Sequence, residues 1–405
     1  MTFIQRGQPE FVRATMALFG GAFVTFAELY ETQPLMPELS RHFHVAPAVS
    51  SLSLSVATAA LAISLLWISG VSDNLGRKRL MSVSLFVSAI ISIIIAISPN
   101  FTMLLVLRIV QGVTIAGFPS IAMAYVNEEF HPREIGRAMG LYVSGTSVGG
   151  MMGRIVIGAL SDVFSWQAGI FIIGLLSLGI ALWFWFSLPP PRNFARKQIG
   201  VAEIFARLGM AFNNKALIGV YTLGFLLVGG FVTMYNYVTY LLMGSPYGLS
   251  QTLVGFIFIV YLAGTFSSAW MGKLADSIGR SKAMQIAIAI GLAGCLTTLF
   301  VPLFIKIAGL AIFTFGFFGA HSIASGWVGQ LAPAYRAQAS SLYLLFYYSG
   351  SSVAGAVGGL FWSAYGWSGV IGMITVLLAI AFVVGRMVSR KIIQRKPDAA
   401  HADAS

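Results

Sequence analysis

Apolar residues fall in long runs along this chain, and polar and charged residues gather in the breaks between them. Twelve runs reach the roughly 20 residues that a helix needs to cross about 30 Å of hydrocarbon. They cover 14–37, 49–72, 80–98, 102–125, 138–160, 165–188, 216–242, 250–272, 283–301, 304–329, 337–361 and 367–387. Inside lipid only a helix satisfies its own backbone over such a length, so each run predicts a membrane-spanning helix and not a strand. The first run follows Arg6 and Arg13 and is too long for the apolar core of a signal peptide, so it reads as a retained helix that opens the bundle. The expected fold is an all-α membrane protein of twelve transmembrane helices.

Composition supports this and narrows the function. Of 405 residues, 57% are hydrophobic and 9% charged, where soluble domains carry about 25% charged residues. That excludes a cytosolic enzyme, a disordered chain and a disulfide-stapled domain. Cys295 is the single cysteine, so no disulfide framework or cysteine-based metal site exists. The net charge of +12 would ordinarily suggest nucleic acid. However, with the N-terminus inside, only Arg41 and Lys306 fall on the outer side and only Arg108 and Arg154 within spans. All other Lys and Arg residues lie in inner loops, the central linker and the termini. This is the positive-inside bias, which predicts both termini in the cytoplasm. It leaves no soluble basic domain for nucleic acid.

The longest break, 189–215, opens on Pro189-Pro190-Pro191 and places Val201, Ile204, Phe205, Leu208 and Phe212 at helical spacing. It predicts an amphipathic helix on the inner leaflet, serving also as a tether. The expected organisation is a six-helix bundle over 1–188, this linker over 189–215, a second bundle over 216–387 and a disordered cytoplasmic tail over 388–405.

The two bundles repeat one another. Gly272-Lys273-Leu274-Ala275-Asp276-Ser277-Ile278-Gly279-Arg280 has an earlier partner in Ser69-Gly70-Val71-Ser72-Asp73-Asn74-Leu75-Gly76-Arg77. Further on, Leu141-Tyr142, Gly149, Gly158 and Trp166 match Leu342-Tyr343, Gly350, Gly359 and Trp367 without a gap. Six-plus-six repeats of this kind build many secondary transporters, with substrate bound between the halves. The D-x-x-G-R loops allow a tight turn at each glycine. Asp73 or Asp276 can face a helix N-terminus or pair with Arg77 or Arg280, as a latch that holds one conformation. The simpler alternative is a basic anchor with a turn glycine.

These loops resemble the signature loop of the major facilitator superfamily, with Ser69 and Val71 as departures in the first copy. Arg108-Ile109-Val110-Gln111-Gly112 resembles that family's fourth-helix motif. Gly145-Thr146-Ser147-Val148-Gly149-Gly150-Met151-Met152-Gly153 resembles the fifth-helix glycine motif of its antiporters, without their usual proline. Ala320-His321-Ser322 and Ser340-Ser341-Leu342-Tyr343 make the chain similar to the YnfM type of bacterial inner-membrane carriers, near the arabinose-efflux and twelve-helix drug/proton antiporter groups. The resemblance implies two pseudo-symmetric six-helix bundles, a bacterial inner-membrane location, export, and a part for Arg108 in proton transfer.

Charged residues inside spans are functional candidates because burying them is costly. Glu28 lies near the middle of the first span and Glu31 one turn further out, so both share a face and offer partners to Arg108. An acid held between an apolar surround and a guanidinium can load and release a proton as water and substrate come and go. Glu28, Glu31 and Arg108 are therefore the proton-coupling candidates, the alternative being an acid permanently paired with Arg108 or Arg154. Gly145, Gly149, Gly150 and Gly153 serve either as a hinge or as small-residue packing, and Arg154 beside them could counter an anion or Asp162.

Gly21-Ala22-Phe23-Val24-Thr25 echoes Gly229-Gly230-Phe231-Val232-Thr233, which sets Asn236 opposite Glu28. With Tyr235, Tyr237, His321 and Tyr347 these residues make a candidate substrate cavity for amphipathic or polyhydroxylated molecules. His321 offers a proton relay or an ordinary hydrogen bond. No cofactor is expected: there is no nucleotide-phosphate loop, no nucleophile–base constellation, and His42 and His44 lack the partners of a metal site. The expectation is a monomeric, non-enzymatic, proton-coupled exporter of a small organic molecule, working by alternating access. Uptake by symport or facilitation, or a receptor role, are the alternatives.

Overall fold

The computed structural model describes residues 3–68, 76–193 and 201–402, without the side chains of 201, 202, 204, 205, 334, 337 and 390–402. Among the described residues the structure is helices joined by short turns, with one isolated bridge between Ile4 and Phe130. The crossing helices are α1 (Pro9–Tyr30), α2 (Pro47–Ser64), α3 (Arg77–Ile95), α4 (Phe101–Glu129), α5 (Ile135–Val163) and α6 (Trp166–Ser187). They continue with α7 (Lys215–Met243), α8 (Gln251–Ile278), α9 (Arg280–Thr297) and α10 (Leu303–Leu331). The last apolar stretch, Gln338–Ser389, is 52 residues long and holds Gly366 at φ 60°, ψ −145°. That conformation cannot continue a right-handed helix, so the stretch is two helices, α11 (336–365) and α12 (367–402). With the last stretch divided, eleven of the described helices are long and apolar enough to cross a membrane, and α9, whose start carries Arg280 and Lys282, makes up the twelve helices that the apolar runs predict.

By their internal contacts the helices group into two units. One holds 1–198 with 239–259, and the other holds 199–238 with 260–405. In the first unit Leu35, Leu39, Ile91, Ile95, Trp166 and Ile170 form a buried core. The pairing of α1 with α5 depends on glycine: a Cβ at Gly149 would lie 2.1 Å from the carbonyl oxygen of Phe23. In the second unit a Cβ at Gly350 would lie 2.2 Å from the carbonyl oxygen of Phe225. The same intimate helix pair therefore occurs in both units, with Gly149 and Gly350 at positions matched by the sequence repeat. On the partner helices Phe23 corresponds to Phe225 and Ala27 to Gly229, so the echo of 21–25 in 229–233 does not align α1 with α7, and Asn236 is not the counterpart of Glu28.

The two signature-loop glycines agree equally well. Gly76 has φ 86°, ψ 146° and Gly279 has φ 88°, ψ 140°, and each immediately precedes a helix, α3 or α9. A Cβ is disfavoured in that region, so both turns require glycine. The linker stretch Val201–Asn213 is helical. The final helix extends through Ala402.

Candidate functional site

Arg108 sits in the middle of the first unit, fully buried on α4. Its Nε donates to the carbonyl of Ser53 at 2.8 Å, and its Nη2 to the carbonyl of Leu29 at 2.6 Å. Nη1 donates to the carbonyl of Glu28 at 2.9 Å, to Gln111 Oε1 at 2.5 Å and to Glu31 Oε1 at 3.4 Å. The ion pair is thus with Glu31, while Glu28 contributes only its backbone oxygen. Ser92 Oγ on α3 completes the Glu31 site by donating to Oε2 at 3.0 Å. A buried arginine and a buried carboxylate neutralise each other here, and backbone carbonyls take up the remaining donors.

Glu28 is left differently. It is fully buried, and among the described residues neither of its carboxylate oxygens has a hydrogen-bond partner. The hydroxyls of Ser88 on α3 and Ser177 on α6 face it. Ser177 Oγ is itself buried and unpartnered, and Ser88 Oγ donates to the Leu85 carbonyl at 3.2 Å. Two acids one turn apart therefore occupy unlike niches, one bound to a cation and the other among hydroxyls.

Arg154 on α5 does not turn toward Asp162. Its Nε donates to Gln33 Oε1 at 2.7 Å, its Nη1 donates to the Gly150 carbonyl, and its guanidinium lies 4.1 Å from the Tyr30 ring centroid and 4.9 Å from that of Phe258. Asp162 instead accepts from the backbone N–H groups of Gln251 and Thr252 at 3.0 and 2.6 Å, satisfying donors that the start of α8 would otherwise leave open. Gly145, Gly149 and Gly153 all face the α1 backbone, at Phe19, Phe23 and Ala27. They are packing positions in this structure. Gly150 lies beside Arg154.

In the second unit Tyr235 and Tyr237 are fully buried and their hydroxyls are committed, to Thr314 Oγ1 at 2.5 Å and to the Gly355 carbonyl at 2.6 Å. Asn236 is buried between them. All three belong to the interior of that unit. His321 and Tyr347 keep part of their surface exposed. His321 Nδ1 lies 2.8 Å from the Tyr343 hydroxyl, and its ring is stacked on Phe317 at 5.8 Å between centroids and 10° between planes.

At the helix ends Arg77 grips Glu128 with two bonds, Nε to Oε2 at 3.1 Å and Nη2 to Oε1 at 2.8 Å. Glu128, on the last turn of α4, was not among the candidates expected from sequence. Asp73 lies outside the described residues. Asp276 is exposed and forms no ion pair with Arg280, whose Nη1 is buried without a partner beside Gly326. The turn at Gly279 explains this, since it sends Arg280 into the first turn of α9 and away from Asp276. Ser88, Ser92 and Ser177 are not among the sequence candidates either, whereas Gln111 belongs to the fourth-helix motif already singled out. The signal for the three serines was a polar side chain recurring within apolar helices, at i and i+4 for Ser88 and Ser92.

Residues 18–355 match the family described as the Major Facilitator Superfamily. The chain is 46% identical to the MFS-type transporter YybF of Bacillus subtilis, over 98% of each chain. It is 42% identical to the inner membrane transport protein YnfM of Escherichia coli, over 96% of this chain and 94% of that one. Its fold matches the crystal structure of a bacterial homologue of the human lysosomal transporter Spinster, with a TM-score of 0.80 at 15% identity, over 96% of this chain and 98% of the other. A repeated six-helix plan, buried charges within the spans and near full-length relatives lead to one assignment: the chain belongs to the major facilitator superfamily, and is a multi-pass membrane transporter and not an enzyme.

Proposed function

We propose that this transporter exports a small organic molecule across the bacterial inner membrane in exchange for protons, by alternating access, with both termini in the cytoplasm. It works as a monomer in this reading, built from six-helix halves at 1–188 and 216–387. The observation that carries the coupling is the unequal surroundings of the two acids on α1. Glu31 is held by Arg108 and Ser92, while Glu28 is buried with no donor bound to it. An ionisable group in that position is costly to keep charged and has a functional reason to be there. A proton on Glu28 removes that cost, and loss of the proton favours whichever arrangement brings water or a substrate group to the carboxylate. Proton occupancy thereby biases one state of the carrier and substrate the other.

The test is transport in proteoliposomes, with internal pH recorded while candidate substrates are added outside. Substrate-evoked proton flux in the wild type, lost in Glu28→Gln, supports the reading, and the sign of the pH change gives the direction. Flux that survives in Glu28→Gln moves coupling to Glu31 or His321. Silence in both, with substrate binding intact, favours facilitation or a receptor role.

A further inference from the structure

Around His321 the second unit gathers a column of aromatic rings. Phe231 on α7 stacks on Phe317 of α10 at 3.9 Å and 15°, and Phe317 continues the stack onto His321. The Tyr343 ring lies 5.8 Å from His321 at 26°, and the Tyr347 ring 4.9 Å away at 48°. Phe317 and Tyr343 are buried, whereas His321 and Tyr347 keep exposed surface, so the column of rings ends at a rim.

The hydroxyls of Tyr235, Tyr237 and Tyr343 are bound to Thr314, Gly355 and His321. A polyhydroxylated ligand needs many donors and acceptors, and these three hydroxyls are already committed within the unit. The Tyr343 hydroxyl is buried against Nδ1 and meets no other acceptor among the described residues, so its O–H is assigned to Nδ1 and the ring hydrogen of His321 to Nε2. Nε2–H is then a single donor at the end of an aromatic stack.

We propose that His321 and Tyr347 form a stacking site for a planar aromatic molecule bearing a hydrogen-bond acceptor, such as a carbonyl, on its edge. The ligand ring continues the column, and its acceptor takes the Nε2–H bond. Aromatic pairs of this geometry add binding beyond simple burial, and one placed donor sets the orientation. The proposal rests on the transport reading above only for the use of the site, and it names the substrate class.

The test is saturable binding of a methoxycoumarin (flat, uncharged and fluorescent, with a carbonyl acceptor) to the full chain in nanodiscs, with empty nanodiscs as the partition control and a pentose as competitor. Wild type binds and the pentose does not compete. His321→Phe keeps the stack but loses the donor and weakens binding about fivefold to tenfold. Tyr347→Leu weakens it about fivefold. His321→Gln, which keeps a donor but not the ring plane, weakens it as well and guards against a folding artefact of any one variant. Absence of saturable binding, competition by the pentose, or equal binding by wild type and all three variants overturns the site. Proteoliposome flux separates the two readings. Pentose-evoked flux that depends on Glu28, without coumarin binding, removes this site and leaves coupled transport standing. His321-dependent coumarin binding without flux does the reverse.

Discussion

Arg108 holds Glu28 by its backbone and not by its side chain: Nη1 donates to the Glu28 carbonyl at 2.9 Å, while both oxygens of the Glu28 carboxylate lie unbonded among hydroxyls. The arginine therefore acts as a clasp on the last turns of α1. It joins them to α2 through the Ser53 carbonyl and to its own helix through Gln111. The clasp leaves the carboxylate next to it available for other work.

A lysine cannot replace this clasp. One ammonium offers three donors from a point, where the guanidinium spans carbonyls on two helices and a carboxylate. Arg108→Lys is expected to destabilise the purified protein by about 3 kcal/mol, as for a broken buried pair. The check is thermal unfolding in detergent, and a wild-type midpoint for Arg108→Lys would show that the carbonyl contacts are dispensable.

The two acids should separate by readout. Glu31→Gln removes the counter-charge of a fully buried guanidinium and should cost about 3 kcal/mol of stability. Glu28→Gln removes no bond present in the structure and should leave the unfolding midpoint within about 0.5 kcal/mol of wild type, while abolishing substrate-evoked proton flux. Equal destabilisation by the two substitutions would mean that Glu28 is a structural acid like its neighbour.

Helix contact through glycine gives a paired prediction. Gly149→Ala and Gly350→Ala each place a methyl group within 2.1 and 2.2 Å of a backbone carbonyl, and backbone cannot step aside as a side chain can. Each should cost at least the ~1–3 kcal/mol of ordinary overpacking. Gly140→Ala on the same α5, with nothing within 4 Å of the added Cβ, should stabilise the helix by up to about 1 kcal/mol. Unfolding midpoints of the three variants side by side are the measurement.

At the helix ends, Arg77 and Glu128 make a two-bond pair that remains partly exposed, with side-chain exposures of 10% and 27%. Exposure limits its strength, so a double-mutant cycle with Arg77→Gln and Glu128→Gln should return a coupling of about 1 kcal/mol that falls with added salt. A coupling indistinguishable from zero at low salt would remove the pair as a structural tie.

Much of this architecture is legible in the chain. Twelve spans follow from run length, because a backbone in lipid has no option but a helix. The repeat is visible as paired motifs, and the positive φ at Gly76 and Gly279 is what a glycine at those matched turns predicts. That Arg108, Glu28 and Glu31 are buried inside spans is equally a matter of counting residues. The partners are another matter. Residues three apart on a helix share a face but stand roughly 60° apart around its axis, and that angle decides which neighbouring helix each meets. Glu31 meets Ser92 and Arg108, while Glu28 meets Ser88 and Ser177. Tyr235 and Tyr237 are turned into the interior of their unit for the same reason, whereas His321 and Tyr347 reach its rim. Periodicity along one helix places a side chain on a face, but only the packing of several helices determines what that face touches.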